Sequence, residues 1–411
     1  MTIALHILYQ NAIVGFMQPD NKFSTIQTGQ RQRPLMMQLA LASGALAQPN
    51  LLKGNNFGDE FWQRQDGKNA RASMEKVVEG LRRYQLHPYM RKPQRESIIW
   101  SDGEARIIWF ASTVKQKKKT RPAIFMIPSM INGPEILDIL PDGRSLVRWL
   151  VKHGFDVFLF EWGHMQDDPE LSTIESAVGV KLSRAVAWLK SEIDTPLFGM
   201  GYCMGGLFLA ASEILNLTAF DGLIFIATPW DFKAGAKGCF AEAITAWAPD
   251  GLRRVGHLDY LPNEWLQMIF AGVDPAQVAR KFSALADMKE GSADEMIFVA
   301  VEDWVNGGDN LPSGVVQQAV KNWYLDNKVV SGQWTIKRKK IDARKIKKPC
   351  LVIIPAKDKI VPPASARPLA KQIKNADILI PECGHISMMV GNRAEKEVWK
   401  PMRDWVLSRI E

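Results

Sequence analysis

Gly201-Tyr202-Cys203-Met204-Gly205-Gly206 is the stretch that decides the fold. It follows directly on the apolar run Pro196 to Met200, which reads as a strand, and it opens the apolar run Gly205 to Leu215, which reads as a helix. A nucleophile on so sharp a strand-to-helix turn needs a strained backbone, and neighbours without Cβ atoms let the chain pass close by. The thiol also gains from the helix N-terminus, where the macrodipole and free amides favour a thiolate. The bland alternative is a buried cysteine in a tight turn. Glycines on both sides of one of four cysteines would arise by chance only about 0.02 times per chain, which disfavours it.

An elbow of this kind requires an acid after a later strand and a histidine after the last one, in that chain order. Leu351-Val352-Ile353-Ile354-Pro355 reads as a strand and delivers Asp358 within Ala356 to Pro362. The next strand, Ile378 to Ile380, leads into Pro381-Glu382-Cys383-Gly384-His385. Cys203, Asp358 and His385 are therefore the expected nucleophile, orienting acid and base, with Asp303 and Asp377 as rival acids. His6, His87, His153, His164 and His257 do not occupy the position that the elbow requires.

Short apolar runs alternate with longer amphipathic ones from Ala123 onward, which is the pattern of βαβ units in a mostly parallel sheet. Further strands are expected at Ala123 to Ile127, Val157 to Phe160 and Leu223 to Ala227. Helices are expected at Ser145 to Lys152, Ile174 to Lys190, Ala364 to Ile373 and Ala394 to Leu407. The alternation breaks between Trp230 and about Lys348, where helical spacing rich in Trp, Phe and Met runs without a clear strand, too long for an ordinary connection. The expected organisation is an α/β-hydrolase fold with a helical N-terminal extension over 1–95, a core over 96–230 and 349–411, and an inserted helical cap over 231–348. Helical spacing at Met36 to Leu46 and Met74 to Tyr84 supports the extension. Trp265, Met268, Phe270, Trp304 and Trp323 are expected to pack as the core of the cap rather than to line a channel.

Composition excludes several classes. No apolar run approaches the length that crosses a bilayer, and Met1 to Met17 lacks a basic n-region, so the expectation is a cytoplasmic protein with no transmembrane segment. Cys203, Cys239, Cys350 and Cys383 form no C-x-x-C pair, so neither a metal site nor a disulfide framework is expected. The formal charge of +8 is concentrated in Lys115 to Lys119 and in Lys337 to Lys348, both flanking strands. These runs read as solvated linkers, with a phosphate or polyanion contact as the alternative; no nucleic-acid motif accompanies them.

The G-x-C-x-G-G box, the acid loop Asp358 to Pro362 and the histidine loop Gly384 to Ile386 resemble those of the poly(3-hydroxyalkanoate) synthases. Pro128 to Asn132, Ile136 to Asp138, Val147 to Leu150, Ala227 to Phe232, Trp304, Asn310 to Pro312 and Trp323-Tyr324 extend the resemblance from Ala123 to the C-terminus. It departs at Lys359 and Pro363, where family members commonly carry His and Trp, and at Ser387 to Gly391, which lacks the usual Asn-Pro-Pro. The resemblance implies an acyltransferase that moves 3-hydroxyacyl groups from coenzyme A through Cys203 to a hydroxyl. It implies no cofactor beyond the acyl-CoA substrate, and backbone amides of Met204 and Ile131 at the oxyanion. It leaves open a homodimer or an accessory synthase subunit, and association with polymer granules. A cysteine-triad hydrolase cleaving thioesters or esters is the alternative activity, and a catalytically silent binding protein is a third.

Overall fold

Short unbroken apolar runs alternate in this chain with longer runs at helical spacing, and the computed structural model assigns strands and helices accordingly. It describes residues 62–92, 96–114, 121–140, 143–215, 219–235 and 240–410. The expected helix at Met36 to Leu46, the basic run Lys115 to Lys119, His6 and Cys239 lie outside the described residues. Every described element lies within Pro34–Glu411.

Eight strands form the central sheet: β1 (Ser97–Asp102), β2 (Ala105–Phe110), β3 (Ala123–Ile127), β4 (Asp156–Glu161), β5 (Leu197–Tyr202), β6 (Gly222–Ile226), β7 (Cys350–Ile353) and β8 (Asp377–Leu379). Their spatial order is β1-β2-β4-β3-β5-β6-β7-β8. Pairing is antiparallel among β1, β2 and β4 and parallel from β4 onward. Six strands coincide with the apolar runs to within about a residue or two at each end. The β1–β2 hairpin is an addition: no residue of β1 is buried, whereas β2 buries Ala105, Ile107, Ile108 and Phe110.

Because side chains alternate along a strand, each buried strand feeds two cores. Phe125, Phe160, Phe225 and Val352 enter one core, while Ile124, Leu159, Ile224 and Ile353 enter the other. Helices cover both faces, as a parallel sheet buried on each side requires. The second core is closed by α2 (Leu146–Lys152), by the short helix Ser387–Val390 and by the C-terminal helix Lys400–Leu407. The first is closed largely by α3 (Ser183–Glu192) and α4 (Met204–Leu215). Helix α4 is apolar nearly all round and almost wholly buried, so it runs as the central strut behind the elbow.

Between β6 and β7 the chain forms α5 (Phe240–Leu258), α6 (Asn263–Val273), α7 (Pro275–Asp287), α8 (Ala293–Asn306) and α9 (Ser313–Ala319). The expectation of a stretch without strands is corrected here. Tyr260–Leu261 pairs antiparallel with Leu311–Pro312, and Thr335–Ile336 with Lys339–Lys340. Two-residue strands contain too few alternations to leave a signal in sequence.

Helix α1 (Gln65–Leu86), expected at Met74 to Tyr84, docks on this insert. Val77, Leu81 and Tyr84 pack against Val278, Ala279, Phe282 and Leu285. Gly80 permits the approach, since a Cβ there would strike the Phe282 carbonyl. Arg83 locks the contact by donating to the Ala286 and Met288 carbonyls and pairing with buried Glu295 at 2.5 Å. No helix among the described residues is long and apolar enough to cross a membrane.

Candidate active site

Cys203 sits between the end of β5 and the start of α4 with φ of 55°, a left-handed conformation that a side chain adopts only at an energetic cost. The surrounding fold imposes it. The Cys203 amide donates to the Ile226 carbonyl at 2.8 Å, and its carbonyl accepts from the Gly206 amide at 3.0 Å. A Cβ on Gly201 would lie 2.5 Å from Gly206 Cα, and one on Gly205 would strike the Ile127 carbonyl. The glycines therefore bring the elbow and the first turn of α4 hard against the end of β3.

The acid and histidine loops continue the ladder of β7 and β8. Ala356 donates to the Pro381 carbonyl at 2.9 Å and Lys357 to the Cys383 carbonyl at 3.0 Å, which fixes the loops side by side. Asp358 Oδ1 accepts from the amides of Ile360 at 2.9 Å and Val361 at 2.8 Å. Its other oxygen, Oδ2, lies 2.6 Å from His385 Nδ1. The Nδ1–H donates to this carboxylate, leaving Nε2 for the Cys203 side. The His385 carbonyl accepts from the buried Tyr202 hydroxyl at 3.1 Å, anchoring the ring from behind. Burial alone would lower the His385 pKa, but the Asp358 carboxylate, together with the hydrogen-bonded Cys203 sulfur, outweighs it and holds the ring raised to about 10. That balance favours the imidazolium form of His385.

The structure thus brings together Cys203, His385 and Asp358 from three separate loops. The rival acids point elsewhere: Asp303 accepts from the Tyr84 hydroxyl at 3.0 Å, and Asp377 accepts from the Trp405 indole and from Arg409, each at 2.7 Å. Met204, as the first residue of α4, has no intrahelical acceptor for its amide. The Ile131 amide donates to Ser129 Oγ at 3.1 Å. Both residues line the same cavity as Cys203 and His385, a space of about 940 Å³ between the sheet and the insert.

The expected packing of the insert's aromatic residues holds for Trp265 and Phe270 against one core and Trp304 against the other, but packing does not exclude lining. Phe270, Trp304 and Trp323 line the cavity, whereas Met268 is 57% exposed and belongs to neither core nor cavity. Trp323 is also buried in the core, so packing and lining are one role there. Helical spacing marks an apolar face, and it does not distinguish a packed face from one that borders a void.

Asn132 was not singled out by its residue type or spacing. Its side-chain amide donates to the carbonyls of Trp304 at 2.9 Å and Val305 at 3.1 Å, and the Trp304 indole donates to the Gly133 carbonyl at 2.8 Å. The loop that carries Ile131 is thereby fastened to the end of α8. Among the described residues no group of three or more His, Cys, Asp or Glu side chains could hold a metal ion.

Comparison with known proteins places this arrangement in context. The poly(3-hydroxyalkanoate) polymerase subunit PhaC of Haloferax mediterranei is 24% identical over 76% of this chain and 64% of its own length. That of Synechocystis sp. is 25% identical over 70% of this chain and 78% of its own length, and that of Allochromatium vinosum is 25% identical over 70% and 81%. The crystal structure of Paleococcus ferrophilus monoacylglycerol lipase is 14% identical and covers 74% of this chain and 99% of its own, with a TM-score of 0.43. Residues 133–392 match the profile of the alpha/beta hydrolase fold, which spans the insert, the acid loop and the histidine loop. The chain belongs to the alpha/beta hydrolase family.

Proposed function

We propose that this protein is an acyltransferase that moves 3-hydroxyacyl groups from coenzyme A to a hydroxyl acceptor, as a poly(3-hydroxyalkanoate) polymerase does. The carrying observation is Cys203 at φ of 55° on the elbow, with the Asp358–His385 pair beside it at 2.6 Å. The PhaC relatives supply the substrate class. A cysteine nucleophile suits acyl transfer from a thioester. It exchanges one thioester for another at little cost, and the acyl-enzyme stays activated for attack by an alcohol.

In the first half-reaction the Cys203 thiolate attacks the acyl carbonyl, the coenzyme A sulfur leaves, and it takes the proton from His385 Nε2. In the second, Nε2 removes the proton of the acceptor hydroxyl as its oxygen attacks the Cys203 thioester, and Cys203 leaves as thiolate with the ester formed. Asp358 keeps Nδ1–H oriented throughout. The amides of Met204 and Ile131 serve the oxyanion, the latter in exchange with Ser129 Oγ. The insert over 231–348 acts as a cap whose aromatic lining excludes water, the competing acceptor. Several relatives are named as polymerase subunits, which supports an accessory subunit or a further copy of this chain as partner, and a polymer-granule location follows only from the proposed polymer product.

The test is to incubate the purified protein with 3-hydroxybutyryl-CoA and to quantify free thiol, free acid and polymer. Thiol in excess of acid, balanced by oligomer or polymer, is the expected result. Equal yields of thiol and acid across acyl lengths and acceptors would overturn transfer in favour of hydrolysis.

A further inference from the structure

Six cations converge on a cavity of about 820 Å³ far from Cys203: Arg338, Lys339 and Lys340 from the hairpin, and Lys345, Lys347 and Lys348 from the segment entering β7. Lys348 stands just before β7, at its start, whereas Asp358 leaves the other end of the same strand. Glu213 forms the floor, ten positions along the chain from Cys203 (213 − 203), or roughly 15 Å along α4 at 1.5 Å per residue. The site is at the opposite end of the sheet from the reaction centre.

None of the six forms a salt bridge among the described residues, although neighbouring Arg344 is paired with Asp342 at 2.8 Å. Six like charges gathered around a single carboxyl repel one another, so the cavity carries an unmet electrostatic demand. Glu213 is 2% exposed, and its Oε2 has no hydrogen-bond partner. A buried polar oxygen without a partner is costly unless a ligand completes it. The hairpin adds a third feature. Lys337 and Arg338 occupy its two central positions with φ of 48° and 60°, where Asn-Gly would be free of strain. Arg338 is thus held toward the cavity by a turn that its residue type does not favour.

We propose that this cavity binds a compact oligophosphate, an anion with two or more linked phosphate groups, the six cations holding the phosphates and Glu213 donating to one phosphate oxygen as its protonated acid. One phosphate would leave most of the six charges and most of the volume unused. Burial pushes the Glu213 carboxyl up to about 7, with Lys348 opposing and Asp221 adding, so a protonated acid is accessible near neutrality. The charged or titratable groups facing Glu213 are Lys348, Asp221 and the buried Cys350 thiol. An anion placed beside Glu213 favours its protonation further, so binding takes up a proton. Free inorganic oligophosphate and the phosphate tail of a nucleotide share this chemistry.

The probe is sodium tripolyphosphate, titrated calorimetrically into the full chain at neutral pH and physiological ionic strength, in two buffers of different ionisation enthalpy. One saturable site with net proton uptake is expected, and uptake vanishes in Glu213→Gln. The combined Lys345→Ala, Lys347→Ala and Lys348→Ala variant loses affinity by about tenfold or more, since three charge-assisted contacts are removed. Lys347→Ala alone gives a smaller loss and guards against misfolding of the combined variant. Alkylation of Cys203 leaves binding intact. ATP that binds as tightly as tripolyphosphate identifies a nucleotide tail, and weaker ATP binding identifies the inorganic anion. Any of three results overturns the proposal: no saturable binding, an equal loss in the control variant Lys190→Ala, Lys289→Ala and Lys371→Ala, or tighter binding per phosphate to long duplex DNA.

Discussion

The Asn132 side-chain amide donates to the Trp304 carbonyl at 2.9 Å, and the Trp304 indole donates back to the Gly133 carbonyl at 2.8 Å. The loop after β3, which carries the Ile131 amide, is thus held by the last turn of an insert helix. A movement of the insert that breaks these bonds also displaces a donor proposed for the oxyanion. Asn132→Ala and Trp304→Phe are each expected to lower kcat by about tenfold, the equivalent of a hydrogen bond or two, with a smaller effect on KM. The double variant is expected to cost less than the product of the singles, because both act through one loop. Steady-state kinetics of the three variants checks this; strictly multiplicative losses would show that the two bonds position different things.

The cysteines differ in their surroundings, and alkylation reads that difference. Burial pushes the Cys383 thiol up to about 11 and the Cys350 thiol higher still, so both remain protonated at neutral pH. Cys203 instead is partly exposed, sits at the start of α4 and lies beside the His385 ring that can take its proton. Iodoacetamide at limiting concentration is expected to modify Cys203 first and to abolish thiol release from acyl-CoA. Cys203→Ala eliminates both the label and the acyl adduct, while Cys350→Ala and Cys383→Ala retain both. Peptide mass mapping that finds Cys383 modified as fast as Cys203 would contradict this ordering.

Much of the sheet was legible because its strands are buried on both faces and read as unbroken apolar runs, as Leu197 to Met200 and Leu351 to Ile354 do. The elbow was legible because its glycines answer a steric demand that few other settings make. Strand β1 was less so, because it buries none of its residues and polar Ser97, Ser101 and Asp102 bound a short apolar run. Asn132 was illegible: its role is a contact with Trp304, 172 positions away, and no local pattern encodes such a partner. The docking of Gln65–Leu86 on α7 was hidden for the same reason, since amphipathic spacing names the buried face and not what covers it.

The Asp358–His385 pair gives folding stability a definite pH dependence. His385 has a pKa of about 10 in the folded protein against 6.5 for the unperturbed group, so the folded state binds its proton more tightly than the unfolded chain. Stability from this source is fully present below pH 6.5 and is lost as pH rises through about 10. Asp358→Asn removes the main cause of the raised value. The stability gap between wild type and Asp358→Asn is therefore expected to be widest near pH 6 and to narrow steadily toward pH 10. Urea unfolding at several pH values measures it, and a gap that widens with pH would refute the assignment of the pair.

Glu213 predicts an effect in the same direction from a different cause. Its carboxyl is raised to about 7 by burial, against 4.5 for the unperturbed group, and its Oε2 has no partner to stabilise the charge. Below pH 4.5 the acid is neutral in both states and folding incurs no charge-burial cost; as pH rises through about 7 the folded state must bury an ionised carboxylate, and stability falls. Glu213→Gln keeps the shape and removes the charge. It is expected to be close to wild type at pH 4 and more stable by about 1–3 kcal/mol at pH 8, the range that a shift of this kind implies. Thermal or urea unfolding at the two pH values decides it. A stabilisation present at pH 4 and absent at pH 8 would reverse the sign and remove the buried carboxylate as its source.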